Sequence, residues 1–328
     1  MIYFLSYLGK ELYVTCESNA YRFHSDGNLV KVNSVLELES KQEEADTKVF
    51  LCSKFVQEMG FTCIRIITVD SDIAILALYY QQQLSVKSLL EYGTGQKTQI
   101  FDISSYQPIL KNLPASLPGL HALSGCDSTS AFNGIGKIKC LKVLESDERF
   151  IDAVSLLGEE VLLSATIIEI LEEYVCELYG VRKETDINKA RYKLFTNRTK
   201  LPEPQKLPPT KDALLLHFKR VNFQTRQWKS ALLKETQQHD LTESGWKRAT
   251  DNTLQIKWTD KDPAPESLLE FVSCSCKKSK CVTMGCRCRK VRLPCSDLCD
   301  CLNCENNKDE EESEVSDEIS SSDSDDSD

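Results

Sequence analysis

Nine cysteines crowd into residues 274–304, spaced C-x-C-x4-C-x4-C-x-C-x6-C-x3-C-x-C-x2-C: Cys274, Cys276, Cys281, Cys286, Cys288, Cys295, Cys299, Cys301 and Cys304. A segment this short has no hydrophobic core of its own, so something other than apolar burial must fold it. Disulfides need an oxidising compartment and an even count. Residues 1–8 are apolar but lack a basic region and a small-residue cleavage site. No apolar run approaches the ~18–20 residues that cross a bilayer. An intracellular chain with reduced thiols is therefore expected, and metal becomes the expected staple. Zinc takes four ligands in structural sites. Nine thiolates serve three zinc ions if three sulfurs bridge and six are terminal. Metal binding is then the folding energy of the segment.

The stretches CSCKKSKC, CRC and CSDLCDCLNCENN resemble the tesmin-type CXC (cysteine-rich, CRC) domain. That resemblance implies a structural cluster of about three Zn²⁺, contact with DNA, often through the minor groove, and a nuclear location. Lys277, Lys278, Lys280, Arg287, Arg289, Lys290 and Arg292 face only Asp297 and Asp300 in the same stretch. A zinc-loaded module therefore keeps a charge of about +2 and suits phosphates. Several members carry a tyrosine just before the fourth cysteine that enters the minor groove. Gly285 stands there in this chain, and the motif occurs once, so weak sequence preference is expected. The competing reading is a zinc-stapled surface for protein contact, chromatin proteins included.

The chain has 328 residues and a net charge of −10, but residues 309–328 hold 11 acidic side chains and no basic one. The low pI thus describes a tail expected to be disordered. Residues 181–250 are basic, with 16 Lys and Arg against 7 Asp and Glu. Such an excess suits either phosphate contacts or a solvated helical surface. Four regions are expected: an α/β domain over 1–145, a helical basic region over 146–270, the cysteine module over 271–307, and the acidic tail over 308–328.

Within the first region, residues 36–38 read as a short strand. Residues 42–59 read as a helix with Ala45, Val49, Leu51, Phe55 and Val56 near one face, stopped by Gly60. The β-branched run over 63–69 reads as a buried strand. Strands over 86–92 and 98–103 flank a Gly93-Thr94-Gly95 hairpin turn, which makes a β-α-β unit with a parallel pair the natural outcome. Residues 113–145 carry turn signals. Residues 142–180 read as helical, with Leu163, Ile167, Ile170, Leu171, Tyr174 and Leu178 in one stripe. A further helix is expected from Lys211.

Acidic residues recur where this local structure would gather them. Glu44 and Asp46 open a helix, Asp70 and Asp72 follow a strand, and Asp127 follows Gly125-Cys126. Sites in open α/β sheets form beyond the carboxyl ends of strands. Carboxylates gathered there repel unless cations compensate, and two Mg²⁺ or Mn²⁺ ions would do so through oxygen ligands. Taken singly, each acid has a simpler role at a helix N-terminus, a turn or an N-cap.

Together, Glu44-Ala45-Asp46, Asp70-Ser71-Asp72 and Gly125-Cys126-Asp127 resemble the PIN-like fold and, within it, the flap-endonuclease-type nucleases. The resemblance implies a three-layer domain with a parallel-sheet core and a two-metal phosphodiester hydrolase, with the five acids as ligands. Gly134-Ile135-Gly136-Lys137 resembles the helix-hairpin-helix turn of those enzymes, where Gly134, Gly136 and Lys137 would hold DNA phosphates. Two departures stand out. Asp46 replaces a glutamate, and nothing before Leu36 offers the strand ending in Asp with which PIN-like domains begin, so the domain reads as N-terminally incomplete. The alternative is a DNA- or chromatin-binding factor in which this domain is a degenerate scaffold.

The remaining chemistry-bearing residues read as structural. His24, His121, His217 and His239 are scattered and read as packed or exposed, with an approach to the acids as the alternative for His121, six residues from Asp127. Cys16, Cys52, Cys63, Cys126, Cys140 and Cys176 read mostly as buried small hydrophobes. Trp228, Trp246 and Trp258 read as packing residues, with base stacking as the alternative.

Overall fold

A computed structural model describes residues 11–26, 29–196, 204–235, 240–259, 273–277, 280–290, 293–295 and 299–306. The expected acidic tail, His239, Lys278 and Arg292 lie outside them. Two compact units result, residues 1–259 and 260–328.

The described part of the N-terminal unit starts with an antiparallel meander, β1 (Leu12–Cys16), β2 (Asn19–Asp26) and β3 (Leu29–Ser34) in the order β1-β2-β3; β2 is a strand ending in Asp26, where the sequence offered none, but it pairs outside the sheet that holds the parallel strands. Residues Leu36–Leu38, expected as a strand, form a 3-10 turn instead. It folds Leu38 inward with Ala20 and Val35 onto Leu51 of α1 (Ala45–Glu58), and Tyr13 meets Phe55 edge-on at 5.5 Å. Helix α1 thus serves two cores, because Phe50 on another face packs into the main one. The apolar positions expected to share one face omitted Phe50.

The second sheet runs β4 (Cys63–Thr68), β5 (Lys87–Tyr92) and β6 (Gln99–Asp102). Strands β4 and β5 pair in parallel across α2 (Ser71–Tyr80), while β6 returns antiparallel from the glycine turn. The expected β-α-β unit is present, but the sheet is mixed and small. Along β4, Ile64 and Ile66 are buried while Cys63, Arg65 and Ile67 are exposed, Ile67 at 69%. Among the described residues β4 is therefore covered on one face only. The expected fully buried strand, and the three layers it would serve, are not what these residues show: alternation marks a half-buried strand.

Beyond the sheet the unit is helical: α3 (Ile103–Leu110), α4 (Leu113–Ser124), α5 (Lys137–Leu144), α6 (Glu148–Ser155), α7 (Ala165–Leu178), α8 (Ile187–Thr196) and α9 (Lys211–Lys229). A small ribbon pairs β7 (Trp246–Arg248) with β8 (Leu254–Ile256). Helix α4 corrects the turn reading of residues 113–124. Pro114 sits in its first turn, where no amide partner is needed, and Leu117, Leu120, His121, Ala122 and Leu123 are all buried. The expected continuous helix over 142–180 breaks at residues 156–164. There Gly158, at φ 82°, lies against α9, and a Cβ would come within 2.7 Å of the Arg226 backbone nitrogen. Asn222 of α9 accepts from the Gly158 amide at 2.8 Å and donates to the carbonyls of Glu160 and Val161.

One apolar core runs from Phe50 through Leu76, Leu120, Leu144 and Leu171 to Phe218 and Trp228. It passes residue 145 without interruption. Tyr80 shows how it is tied: its hydroxyl donates to the Trp228 carbonyl at 2.6 Å and accepts from the Ala231 amide at 3.0 Å. The six scattered cysteines divide: Cys140 and Cys176 are buried as expected, Cys52 and Cys126 are half-buried, and Cys16 and Cys63 are exposed. Among the described residues no helix is long and apolar enough to cross a membrane.

Candidate metal centres

Among the described residues of the C-terminal unit the buried core is sulfur. Cys274, Cys281, Cys286, Cys288 and Cys295 are its buried residues, with Cys276, Cys299, Cys301 and Cys304 packed against them. Cys274 Sγ lies 3.6 Å from Cys281 Sγ and 3.7 Å from Cys295 Sγ; Cys286 and Cys295 are 3.8 Å apart, Cys288 and Cys299 3.4 Å. A disulfide closes at about 2.05 Å. A tetrahedron of sulfurs about 2.3 Å from zinc has edges of ~3.8 Å, so these spacings are those of ligands around a metal.

Three four-sulfur sets have all atoms within 4.8 Å of one another: Cys274, Cys286, Cys288 and Cys295; Cys274, Cys281, Cys295 and Cys301; and Cys274, Cys276, Cys281 and Cys286. Cys274 belongs to all three, and Cys281, Cys286 and Cys295 to two each. Shared membership is what bridging sulfurs require. The donor set fits zinc. Burial pushes the Cys274 and Cys281 thiols up, so a cation is needed to hold them as thiolates. Asn306 supports the cluster from outside, as polar neighbours of metal ligands do. Its amide donates to Cys304 Sγ and its Nδ2 to Cys295 Sγ, both at 3.3 Å. Lys280, Cys281 and Asn303 take left-handed φ of 47°, 62° and 49°. The backbone is thereby wound tightly around the sulfurs, at a local cost for residues that carry a Cβ.

Around this core the basic residues face solvent. Lys277 and Lys280 are exposed, as are Arg287, Arg289 and Lys290 on the short helix α10 (Arg287–Lys290). Lys280 pairs with Glu305 at 3.3 Å. Beside Gly285, Met284 is 65% exposed and Val282 46%. A Cβ at Gly285 would meet only Thr283 Oγ1, at 3.4 Å.

The N-terminal unit gathers the five expected carboxylates, more loosely. Glu44 takes the N-cap position of α1 and Asp46 its first turn; Asp70 caps α2, accepting from the Asp72 amide at 2.8 Å. Asp127 sits exposed in the turn between Cys126 and Thr129. Burial first, then the charges of Asp70, Asp72, Glu44 and Asp127, hold the Asp46 carboxyl above its usual range. All four other acids therefore act on this one group. They do not close into a tight ligand set: among the described residues the donor groups within 4.8 Å of one another are cysteines.

Protein groups balance part of this negative charge. His121, read from the sequence as packed or exposed, is buried with Nε2 2.7 Å from Asp72 Oδ1, and that bond is the first cause holding the Asp72 carboxyl below its usual range. Glu44 accepts from Gln224 Nε2 at 2.9 Å and from Trp228 Nε1 at 3.1 Å, while Ser128 donates to Gln224 Oε1 at 2.7 Å. Helix α9 thereby links the Asp127 turn to the start of α1. Gln224 had no signal in the sequence, and Trp228 had only its size. Gly136 takes the N-cap position of α5, and Gly134 turns the chain at φ 70°. Lys137, expected to hold phosphate, donates to the Gly125 carbonyl at 2.5 Å, to Ser124 Oγ at 3.3 Å and to the His121 carbonyl at 3.4 Å. Its ammonium satisfies the carboxyl end of α4, and desolvation lowers its pKa.

Residues 271–308 match the family model of the Tesmin/TSO1-like CXC domain, cysteine-rich domain. No curated protein and no solved structure gives a match to the chain.

Proposed function

We propose that this chain is a nuclear, DNA-associated protein whose C-terminal unit holds about three zinc ions and grips duplex DNA through its basic surface. The carrying observation is the CXC match over a cluster in which one cysteine joins three four-sulfur sets. Zinc supplies the fold here. Lys277, Lys280, Arg287, Arg289 and Lys290, with Lys278 and Arg292, supply phosphate contacts, and chromatin proteins are candidate partners. Exposed Met284, next to Gly285, offers an apolar contact where an aromatic residue is missing; minor-groove proteins use such side chains as wedges.

Fluorescence anisotropy across a salt series tests this. Each basic residue changed to glutamine weakens binding on every sequence and lowers the salt slope by roughly one unit. Gly285→Tyr tightens binding to A·T-rich duplex, and Met284→Ala weakens it. Absence of any salt-dependent binding refutes the DNA reading and leaves protein contact.

A second reading concerns the carboxylates, favoured by the action of four acids on Asp46. Glu44, Asp46, Asp70, Asp72 and Asp127 are candidate ligands for Mg²⁺ or Mn²⁺, ions that would supply charge for phosphodiester hydrolysis. In that reading Glu44 is oriented by Gln224 and Trp228, Asp72 by His121, and Gly134, Gly136 and Lys137 border the phosphate path. A scaffold without catalysis is the alternative. Cleavage of flapped, branched and single-stranded DNA, beside Mn²⁺ titration, separates them: saturable Mn²⁺ binding with no cleavage supports the scaffold.

A further inference from the structure

A second concave feature of the N-terminal unit uses none of the five acids. It is a cavity of about 340 Å³ between the loop at Phe132, Tyr179, α8, α9 and Trp258. That volume is within the range of sites for small organic ligands.

Its charge is one-sided. Arg191 and Arg220 both line it, and no Asp or Glu does. Arg220 is only 4% exposed, with Nη1 donating to the carbonyls of Gly245 at 3.1 Å and Lys257 at 3.5 Å. Arg191 is half-buried and donates to the Pro208 carbonyl. Among the described residues neither guanidinium pairs with a carboxylate. Burial lowers the pKa of both, yet arginine stays charged. Two desolvated cations beside one cavity, satisfied by carbonyls alone, leave a net attraction for an anion.

Lys257 adds a third cation to the lining, and four rings, Phe132, Tyr179, His217 and Trp258, stand among its small and aliphatic residues. Phe132 meets Tyr179 edge-on at 6.2 Å and His217 at 5.3 Å. Trp258, another lining residue, is 68% exposed and so presents a ring face not consumed by packing. His217 adds a polar handle. It is 6% exposed, its Nε2 donates to the Leu123 carbonyl at 3.0 Å, and its Nδ1 has no partner. Burial keeps this ring neutral at physiological pH, leaving Nδ1 as a buried acceptor in want of a donor.

We propose that the cavity binds a nucleotide unit, with its phosphate on Arg191 and Arg220 and its base against Trp258. Arginine forks match phosphate oxygens, and an aromatic ring takes any base. The same unit could arrive as a free nucleoside monophosphate or within a single strand.

Tryptophan fluorescence and calorimetry on the full zinc-loaded chain test this with AMP, adenosine, inorganic phosphate and a short oligo-dT. AMP is expected to bind and to quench fluorescence, and adenosine to bind at least about tenfold more weakly for want of the charge. Arg191→Gln and Trp258→Ala should each weaken AMP by about tenfold. Trp258 is exposed, so its truncation leaves the thermal transitions unchanged and separates ligand loss from misfolding. An oligo-dT affinity that falls with Arg191→Gln assigns the site to a strand; AMP binding with oligo-dT insensitive to that variant assigns it to free nucleotide. No AMP binding at millimolar concentration overturns the proposal. So does equal binding of AMP and adenosine, phosphate competing as well as AMP, or both variants binding AMP like the parent chain.

Discussion

The two units gather ionisable side chains by opposite means. In the C-terminal unit nine cysteines form the interior itself, and the apolar residues Val282, Met284 and Leu302 lie outside. In the N-terminal unit a continuous apolar core comes first, and five carboxylates sit at its surface, on helix starts and a turn. Thiols of the cysteine unit pack at 3.4–3.8 Å from one another. With sulfur as the buried interior of that unit's described residues, a metal is expected to supply the folding energy there. The acids have substitutes for a metal: amides at the α2 N-terminus, Trp228, Gln224 and His121. A metal at the acids would add function to a structure that stands without it, whereas a metal at the sulfurs would hold the structure itself together.

Chelation breaks this comparison most directly. Structural zinc contributes roughly 10–16 kcal/mol in small domains. Differential scanning calorimetry of the full chain should show two transitions, with chelator abolishing the one from the cysteine unit and sparing the other. Native mass spectrometry should count three zinc ions, with more than one lost in Cys274→Ser, whose sulfur enters all three sets, and at most one lost in Cys276→Ser, whose sulfur enters one. A loaded stoichiometry of one or two, or equal losses in the two variants, removes the bridged cluster.

What could be read in advance follows the same division. The sulfur cluster is local in sequence, so spacing alone exposed which cysteines gather. The acids were legible because each sits at a strand end, a helix start or a turn, positions that composition marks. Their partners were not. Gln224 and Trp228 reach Glu44 across 180 and 184 residues, a distance no local pattern spans. His121 had one signal, its nearness to Asp127, but the helix α4 that aims it was hidden, because Pro114, Pro118 and Gly119 read as turn residues. Full burial outweighs their poor helix propensity, and Gly119 is needed where a Cβ would meet the Val154 carbonyl at 2.6 Å. The reading of β4 as doubly covered failed for a related reason. A β-branched run reports strand preference but not which face a neighbour will cover.

Acid should separate the units through a group that only the apolar core contains. Burial in α9 depresses the His217 pKa to about 4, and the neighbouring Arg220 charge acts in the same direction, against the Leu123 carbonyl. Unfolding returns the ring to an ordinary value of about 6.5. Between those values the unfolded chain holds a proton the folded one does not, so stability falls as pH drops from about 6.5 to about 4. The loss reaches about 1.4 kcal/mol per pH unit at most, read as a drop of several degrees in the N-terminal transition. His217→Gln should flatten that limb; an unchanged slope would assign the acid sensitivity to other groups.

The smallest effect tests whether the acids are costly without a cation. Asp46 is the member on which burial and all four other charges act, so Asp46→Asn removes a repelled charge while keeping the size of the side chain. In metal-free buffer the variant should melt slightly higher than the parent chain, a small shift because solvent screens the partly open Asp46 carboxyl. Added Mg²⁺ or Mn²⁺ should then raise the parent's melting temperature toward the variant's, because a ligand that binds only the folded state stabilises it. The variant, short of one ligand, should respond less. A parent chain indifferent to both ions, with Asp46→Asn still stabilising, would mean that the acids repel without recruiting a cation. Their arrangement would then be a tolerated cost of helix starts and turns, held in check by His121, Gln224 and Trp228, and the contrast between the units would become one of metal-built against metal-free.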